Sequence, residues 1–212
     1  NFLLPDDADY SELVTMLELF SSMGRPFADA AIESRLDGVW MIPSKPEIRA
    51  IDTRLNGRAV YGKLTELFEG CDKQFDLAII DTPPSYSDRI AAAYTMADLV
   101  LLPVLPDVWT IESIALTIED IESTAVEWEL RPPDVRLVFN RFNPRRRAVV
   151  EGEALIREQY GDILLSQALS ESAAVQNLLN EGLTFLNGGY GKVREEYAAL
   201  AKIVAERLKE IH

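Results

Sequence analysis

An α/β chain, with a mostly parallel doubly wound sheet flanked by helices, is the fold class the sequence predicts, and three observations predict it. The apolar runs at 77–80 and 99–104 lack the alternation of half-exposed strands, as strands covered on both faces do, and Val135-Arg136-Leu137-Val138-Phe139 reads as a following strand. Between the last two, Ile111, Ile114, Ile118, Ile121 and Ala125 recur three and four residues apart, the spacing of a helix with one buried face. Two of the runs end in polar residues, Asp81 and Asn140-Arg141, placing them at the carboxyl edge where open α/β sheets bind ligands.

Composition supports one domain over residues 1–212. The chain has 212 residues, 48% hydrophobic and 26% charged, enough for one sizeable core. A single cysteine, Cys71, excludes a disulfide framework and a thiolate zinc site, and a single histidine, the terminal His212, excludes histidine-based catalysis. No run reaches transmembrane length and no secretory leader is evident, so a cytoplasmic protein without a membrane partner is expected. The net charge of −14 argues against a globally basic nucleic-acid binder. Yet residues 131–147 hold six arginines against one acid, Asp134, so positive charge is concentrated there.

In chain order, Ser11 followed by Leu13, Val14, Leu17 and Phe20 predicts a capped helix that Gly24 and Pro26 end. A short helix is expected over 27–32, then a turn at Asp37-Gly38 and a strand Val39-Trp40-Met41-Ile42 closed by Pro43. Residues 46–57 read as loop or irregular helix and 64–68 as helix. The stretch Phe75-Asp76-Leu77-Ala78-Ile79-Ile80-Asp81-Thr82-Pro83-Pro84-Ser85 is the centre of the prediction. It reads as a buried strand that delivers Asp81 to its tip, because Pro83-Pro84 cannot continue a ladder. A carboxylate so placed suits Mg²⁺, which takes few protein carboxylates and keeps waters and phosphate oxygens. The alternative for Asp81 is to cap the next segment.

Beyond it, a small-residue helix over 90–96 leads to a strand over 99–104 opened by Asp98. The long helix from Thr110, with Glu112, Glu119, Asp120 and Glu122 turned outward, is expected to stop at Pro132-Pro133. A strand at 135–139, a helix at 151–160, a short strand at 163–165, and a helix at 172–180 ended by Gly182 follow. The terminal helix, 193–211, sets Val193, Tyr197, Leu200, Val204, Leu208 and Ile211 on one stripe, the spacing of a core-facing helix. Strands alternating with helices imply a parallel sheet.

Gly57-Arg58-Ala59-Val60-Tyr61-Gly62-Lys63 matches half of a phosphate-binding loop. Such a loop needs a buried strand before it and Ser or Thr directly after the lysine. Charged residues precede it and Leu64 follows it, so the stretch reads as a solvated turn entering a helix.

Residues 75–85, the strand ending Leu101-Leu102-Pro103-Val104, the strand ending in Asn140-Arg141, and the region from Ala173 to the last helix together resemble the ParA/MinD group of deviant Walker ATPases, nearer the ParA side. The resemblance runs the length of the chain. It implies a P-loop NTPase-like fold in which the Asp-x-Pro-Pro turn is the Walker B and second switch, mapping onto Asp81, Pro83 and Pro84 with Thr82 between them. It also implies that Asn140, beside Arg141, reads the adenine, although Ser166-Gln167-Ala168 replaces the proline usual near the base pocket. The family's phosphate loop and first switch are not among these residues, so a further N-terminal strand and phosphate loop are expected in the biological protein.

The resemblance further implies ATP and Mg²⁺ as cofactors, a homodimer around two nucleotides, binding to non-specific DNA on the nucleoid, and a ParB-like or other partner that stimulates hydrolysis. Asp81 would hold Mg²⁺ through water. For Arg145, Arg146 and Arg147 two roles stand: contact with DNA phosphates, or a charged loop balancing nearby carboxylates. Two rival functions are a degenerate non-catalytic adaptor of the same fold and a MinD-like membrane-associated ATPase, the latter marked by a basic amphipathic tail.

Overall fold

A computed structural model of the chain describes residues 3–4, 9, 13–21, 26–83, 86–107, 109–180 and 191–212. They fall into two compact units, Asn1–Met96 and Ala97–His212.

In the first unit, α1 is Met16–Ser21. Ser11 and Gly24, the expected start and stop, lie outside the described residues. The helix is instead entered at the buried Thr15, whose backbone N–H donates to Glu18 Oε2 at 2.9 Å and whose hydroxyl donates to the same oxygen. This pair is half of a capping box. It holds the Glu18 carboxyl below its usual range, chiefly through the Thr15 hydroxyl. Helix α2 is only Phe27–Ala30, and the Phe27 ring meets Phe68 edge-on with centroids 4.5 Å apart. The helix expected to reach Ile32 gives way to a hairpin. Strand β1 (Ile32–Glu33) pairs antiparallel with β2 (Trp40–Met41) across a turn in which Gly38 takes φ 73°, a conformation open to glycine at no steric cost.

A 3₁₀ helix covers Pro46–Thr53. Helix α3 then runs from Gly57 to Phe68, capped by Asn56 accepting from the Ala59 N–H at 2.9 Å. It takes in the whole Gly57-to-Lys63 stretch, which is therefore helix and not a phosphate-cradling loop. Val60, Leu64 and Leu67 bury one stripe, and α3 packs on α4 (Asp88–Met96). Arg89 of α4 clasps Asp52 in a two-pronged ion pair of 2.6 and 2.9 Å.

The expectation for residues 75–83 needs correction. They are not assigned to a strand, and Leu77 and Ile79 are 55% and 85% exposed. Among the described residues no ladder hydrogen bond reaches 77–83. The physical reason is that a strand is defined by its partners, and an apolar run without neighbours on its edges stays an uncovered, extended segment.

In the second unit, β3 (Leu99–Val104) and β4 (Asp134–Phe139) pair in parallel, in register from Leu99↔Asp134 to Val104↔Phe139. Leu164 adds a parallel bridge to Leu137, the expected third strand reduced to one residue. Successive β4 side chains face opposite ways. Leu137 and Phe139 join Ile114 of α5 (Thr110–Glu127) and Ile156 of α6 (Arg147–Tyr160) in one cluster. Val138 packs with Leu200, Tyr197 and Val204 of α8 (Gly191–Ile211) in another. Helices thus cover both faces, and the stripe read on the last helix is a core face at these positions.

Helix α5 does not wait for Pro132-Pro133 to stop. Glu129 takes φ 59°, its N–H donates to Val126 O at 3.1 Å, and the Leu130 N–H donates to Ala125 O at 2.8 Å. This is a Schellman ending with glutamate where glycine is usual. Between α6 and α8 lies α7 (Ala173–Asn180); Gly182 lies outside the described residues. At the foot of β4, Asp134 is gripped by Arg207 of α8 (Nε to Oδ2, 2.7 Å; Nη2 to Oδ1, 3.1 Å) and by Arg136 (Nε to Oδ2, 3.0 Å; Nη2 to Oδ1, 2.8 Å). No helix among the described residues is long and apolar enough to cross a membrane.

Candidate functional site

The carboxyl edge of the β3–β4 pair gathers most of the predicted site residues. Pairing extends one step past the strands, where the Asn140 N–H donates to Val104 O at 2.9 Å. The Asn140 side-chain oxygen accepts the Arg141 N–H at 3.0 Å. Only an oxygen can accept there, so the carboxamide orientation is set and Nδ2 keeps its two donors, unpartnered among the described residues. Arg141 adopts φ 53°, which reverses the chain so that Phe142 can bridge Ser170 in parallel.

Asn143 organises the next turn. Its Oδ1 accepts the Arg145 N–H at 3.1 Å, and its Nδ2 donates to Glu171 Oε2 at 2.9 Å. The arginines expected in a loop lead directly into a helix: Arg146 is the N-cap of α6 and Arg147 its first residue, so α6 starts earlier than expected. Arg146 Nη2 reaches Glu171 at 3.0 Å and Arg141 Nη2 at 3.8 Å. Arg147 Nε pairs with Glu151 at 2.6 Å. Among the described residues the Arg145 guanidinium has no partner. Glu171 is thus the hub of the cluster. Its carboxyl is held below the usual range by the Asn143 hydrogen bond first and by Arg146 and Arg141 after it.

The loop leaving β3 is fixed from behind. A Cβ on Gly152 of α6 would lie 2.6 Å from Asp107 Cα and 2.7 Å from Pro106 O, so only glycine lets helix and loop approach this closely. Asp107 Oδ1 accepts the Trp109 N–H at 2.7 Å, and Trp109 is 87% exposed.

Asp81, Thr82 and Pro83 belong to the first unit, all exposed, and Pro84 lies outside the described residues. Asp81 accepts no capping hydrogen bond among the described residues. No group of three or more His, Cys, Asp or Glu among them could hold a metal ion. Asp81, with both oxygens unpartnered among the described residues, fits the role of a single Mg²⁺ or metal-water ligand. Asn140 fits a base edge in the same chemical sense, as a fixed donor.

Sequence reasoning missed Glu171, Asn143 and Gly152. Asn143 carried a signal, since Asn-Pro initiates turns through its side chain. Glu171 carried none, because its partners lie 25 to 30 residues away in the chain.

A family model described as an AAA domain matches residues 7–130. Among curated proteins, cell division protein PomZ of Myxococcus xanthus is 24% identical over 160 residues, which is 74% of this chain and 50% of PomZ. The chromosome-partitioning ATPase Soj of Thermus thermophilus is 22% identical over 177 residues, 82% of this chain and 69% of Soj. The alignment thus spans about half the length of PomZ. Among solved structures, an ATP complex of Cyanothece McdA superposes with a TM-score of 0.80 at 20% identity, covering 93% of this chain and 78% of that one. That likeness shows the P-loop NTPase-like α/β fold.

Proposed function

The chain belongs to the ParA-like partition and positioning ATPases of this AAA-domain family, and from that membership we propose that residues 1–212 lie in one ATPase domain and that the complete protein binds ATP with Mg²⁺, dimerises, and attaches to non-specific DNA on the nucleoid to position a cargo. A ParB-like or other partner would stimulate its hydrolysis. The observation that carries the proposal is Asn140: a fixed carboxamide donor at the carboxyl edge of a parallel strand pair, where such sheets bind nucleotides. Beside it, Arg141 contributes its backbone N–H to hold that orientation. Bound Mg²⁺ would supply charge neutralisation for phosphoryl transfer. The chain's own part is to position: Asp81 would orient the metal's water shell, the Thr82-Pro83-Pro84 turn would follow it, and Asn140 would donate to the base. Arg145, Arg146 and Arg147 would meet DNA phosphates.

The test is titration of the complete protein with a fluorescent ATP analogue with and without Mg²⁺, with dimerisation followed by light scattering. Asp81→Asn keeps size but loses charge, so it should weaken the Mg²⁺-dependent part of binding and dimerisation while leaving the fold intact. Asn140→Ala should weaken binding with or without Mg²⁺. Parent-like behaviour of both variants refutes these assignments. A second reading of the same family fold is the non-catalytic adaptor, which keeps a binding surface without hydrolysis. No nucleotide binding by the complete protein would decide for it.

A further inference from the structure

We propose that Arg141, Asn143 and Arg146 form a phosphodiester-binding site for duplex DNA that the Glu171 carboxylate keeps closed as an internal competing anion. The inference rests on the DNA-binding proposal above and adds its regulation.

Three donors converge on the Glu171 carboxylate: Asn143 Nδ2 at 2.9 Å, Arg146 Nη2 at 3.0 Å and Arg141 Nη2 at 3.8 Å. A planar anion held by guanidinium and amide donors is the arrangement that also binds phosphate oxygens. Both arginines remain open to solvent, their side chains 66% and 63% exposed, so an external phosphate can reach them without opening a core. Balancing charge does not account for the cluster. Arg141, Arg145, Arg146 and Arg147 face only Glu171 and Glu151 among the described residues, leaving two positive charges over. Arg146 and Arg147 also stand at the N-terminus of α6, whose dipole already presents positive charge and favours anions. Cations gathered there are destabilising until an anion arrives, and Glu171 and Glu151 supply only two carboxylates for four guanidinium groups.

Glu171 can yield its place cheaply. Its backbone is held independently of its carboxylate, by the N–H to Phe142 O at 3.0 Å and the neighbouring Phe142↔Ser170 bridge. Side-chain rotation alone therefore frees the donors while the loop stays in register. Competition with this carboxylate lowers the affinity of each phosphate contact, which suits avid binding by several linked contacts.

The experiment is fluorescence anisotropy with a random-sequence duplex DNA, in ATP and Mg²⁺, over a salt series. It compares the parent, Glu171→Gln, Arg141→Ala/Arg146→Ala and the combination of all three changes. Glu171→Gln should bind about two- to fivefold tighter at low salt, the range of an exposed ion pair. Its log affinity should fall more steeply with log salt by roughly one unit. The arginine substitutions should abolish that gain. Affinity equal to or below the parent's overturns the proposal. Should Glu171→Gln unfold early, Glu171→Asp, which shortens the reach of the charge, must show the gain instead, and its failure to do so is equally fatal. No binding by any of these proteins overturns the DNA proposal with it, whereas parent binding that Glu171→Gln leaves unchanged removes the clasp alone.

Discussion

Replacing Asp134 by asparagine tests how the last helix is fastened to the sheet. The carboxylate accepts four hydrogen bonds from Arg207 and Arg136, so the amide loses both the charge and half the acceptors. These contacts, Arg207 first, lower the Asp134 carboxyl from 3.8 to about 2. At 1.36 kcal/mol per pH unit the difference sets an upper bound of about 2.4 kcal/mol. The Arg207 side chain is a third exposed, so water screens the pair and about 1–2 kcal/mol is the better expectation. For a chain of this size that lowers Tm by about 2–8 °C. The sign with pH follows from the direction of the change. A carboxyl depressed by folding stabilises above its unfolded value and loses that stabilisation as pH falls through its folded value. The gap between parent and Asp134→Asn should therefore be full at pH 7 and close between about pH 4 and pH 2, as followed by circular dichroism melts. Equal melting at pH 7 refutes the reasoning, as does a deficit undiminished at pH 2.

Three further substitutions address single contacts. Glu129→Gly relieves a left-handed residue in the Schellman ending of α5 and should raise stability by about 0.5–1 kcal/mol in urea titration. Gly152→Ala places a methyl against the backbone of Pro106 and Asp107; a cost of about 1–3 kcal/mol and a changed Trp109 emission are expected. Thr15→Ala removes the buried hydroxyl that meets Glu18 and should cost about 0.5–2 kcal/mol in the same titration.

What the sequence made legible is what nearest neighbours determine. The stripe Ile111, Ile114, Ile118, Ile121 and Ala125 defines α5 because a 3.6-residue period needs no knowledge of the partner, and Ile114, Ile121 and Ala125 are indeed buried. Asn140 was legible for the same reason, as a polar residue ending an apolar run. The start of α1 was legible too and was misread, since Thr15-Met16-Leu17-Glu18 spells a capping box. The end of α5 was hidden, because a glutamate in left-handed conformation leaves no compositional trace where glycine would.

Residues 77–80 show where such reading stops. Leu77, Ile79 and Ile80 have the composition of a covered strand, and each full burial would be worth about 1.5–3 kcal/mol. All three are nevertheless exposed. Hydrophobicity states a demand for cover, whereas a strand also requires backbone partners on its edges, and those belong to other parts of a fold. The same distinction separates two of the candidate residues, Asn140 and Asp81. Asn140 is held by a bond to its own neighbour and a ladder bond to β3, so its chemistry is fixed by elements the structure describes. Asp81 inherits its position from a segment that no described residue pairs with, so its charge was legible and its placement was not. Asn140→Ala therefore probes a residue whose surroundings are formed. Asp81→Asn probes a carboxylate whose segment has no backbone partner among the described residues.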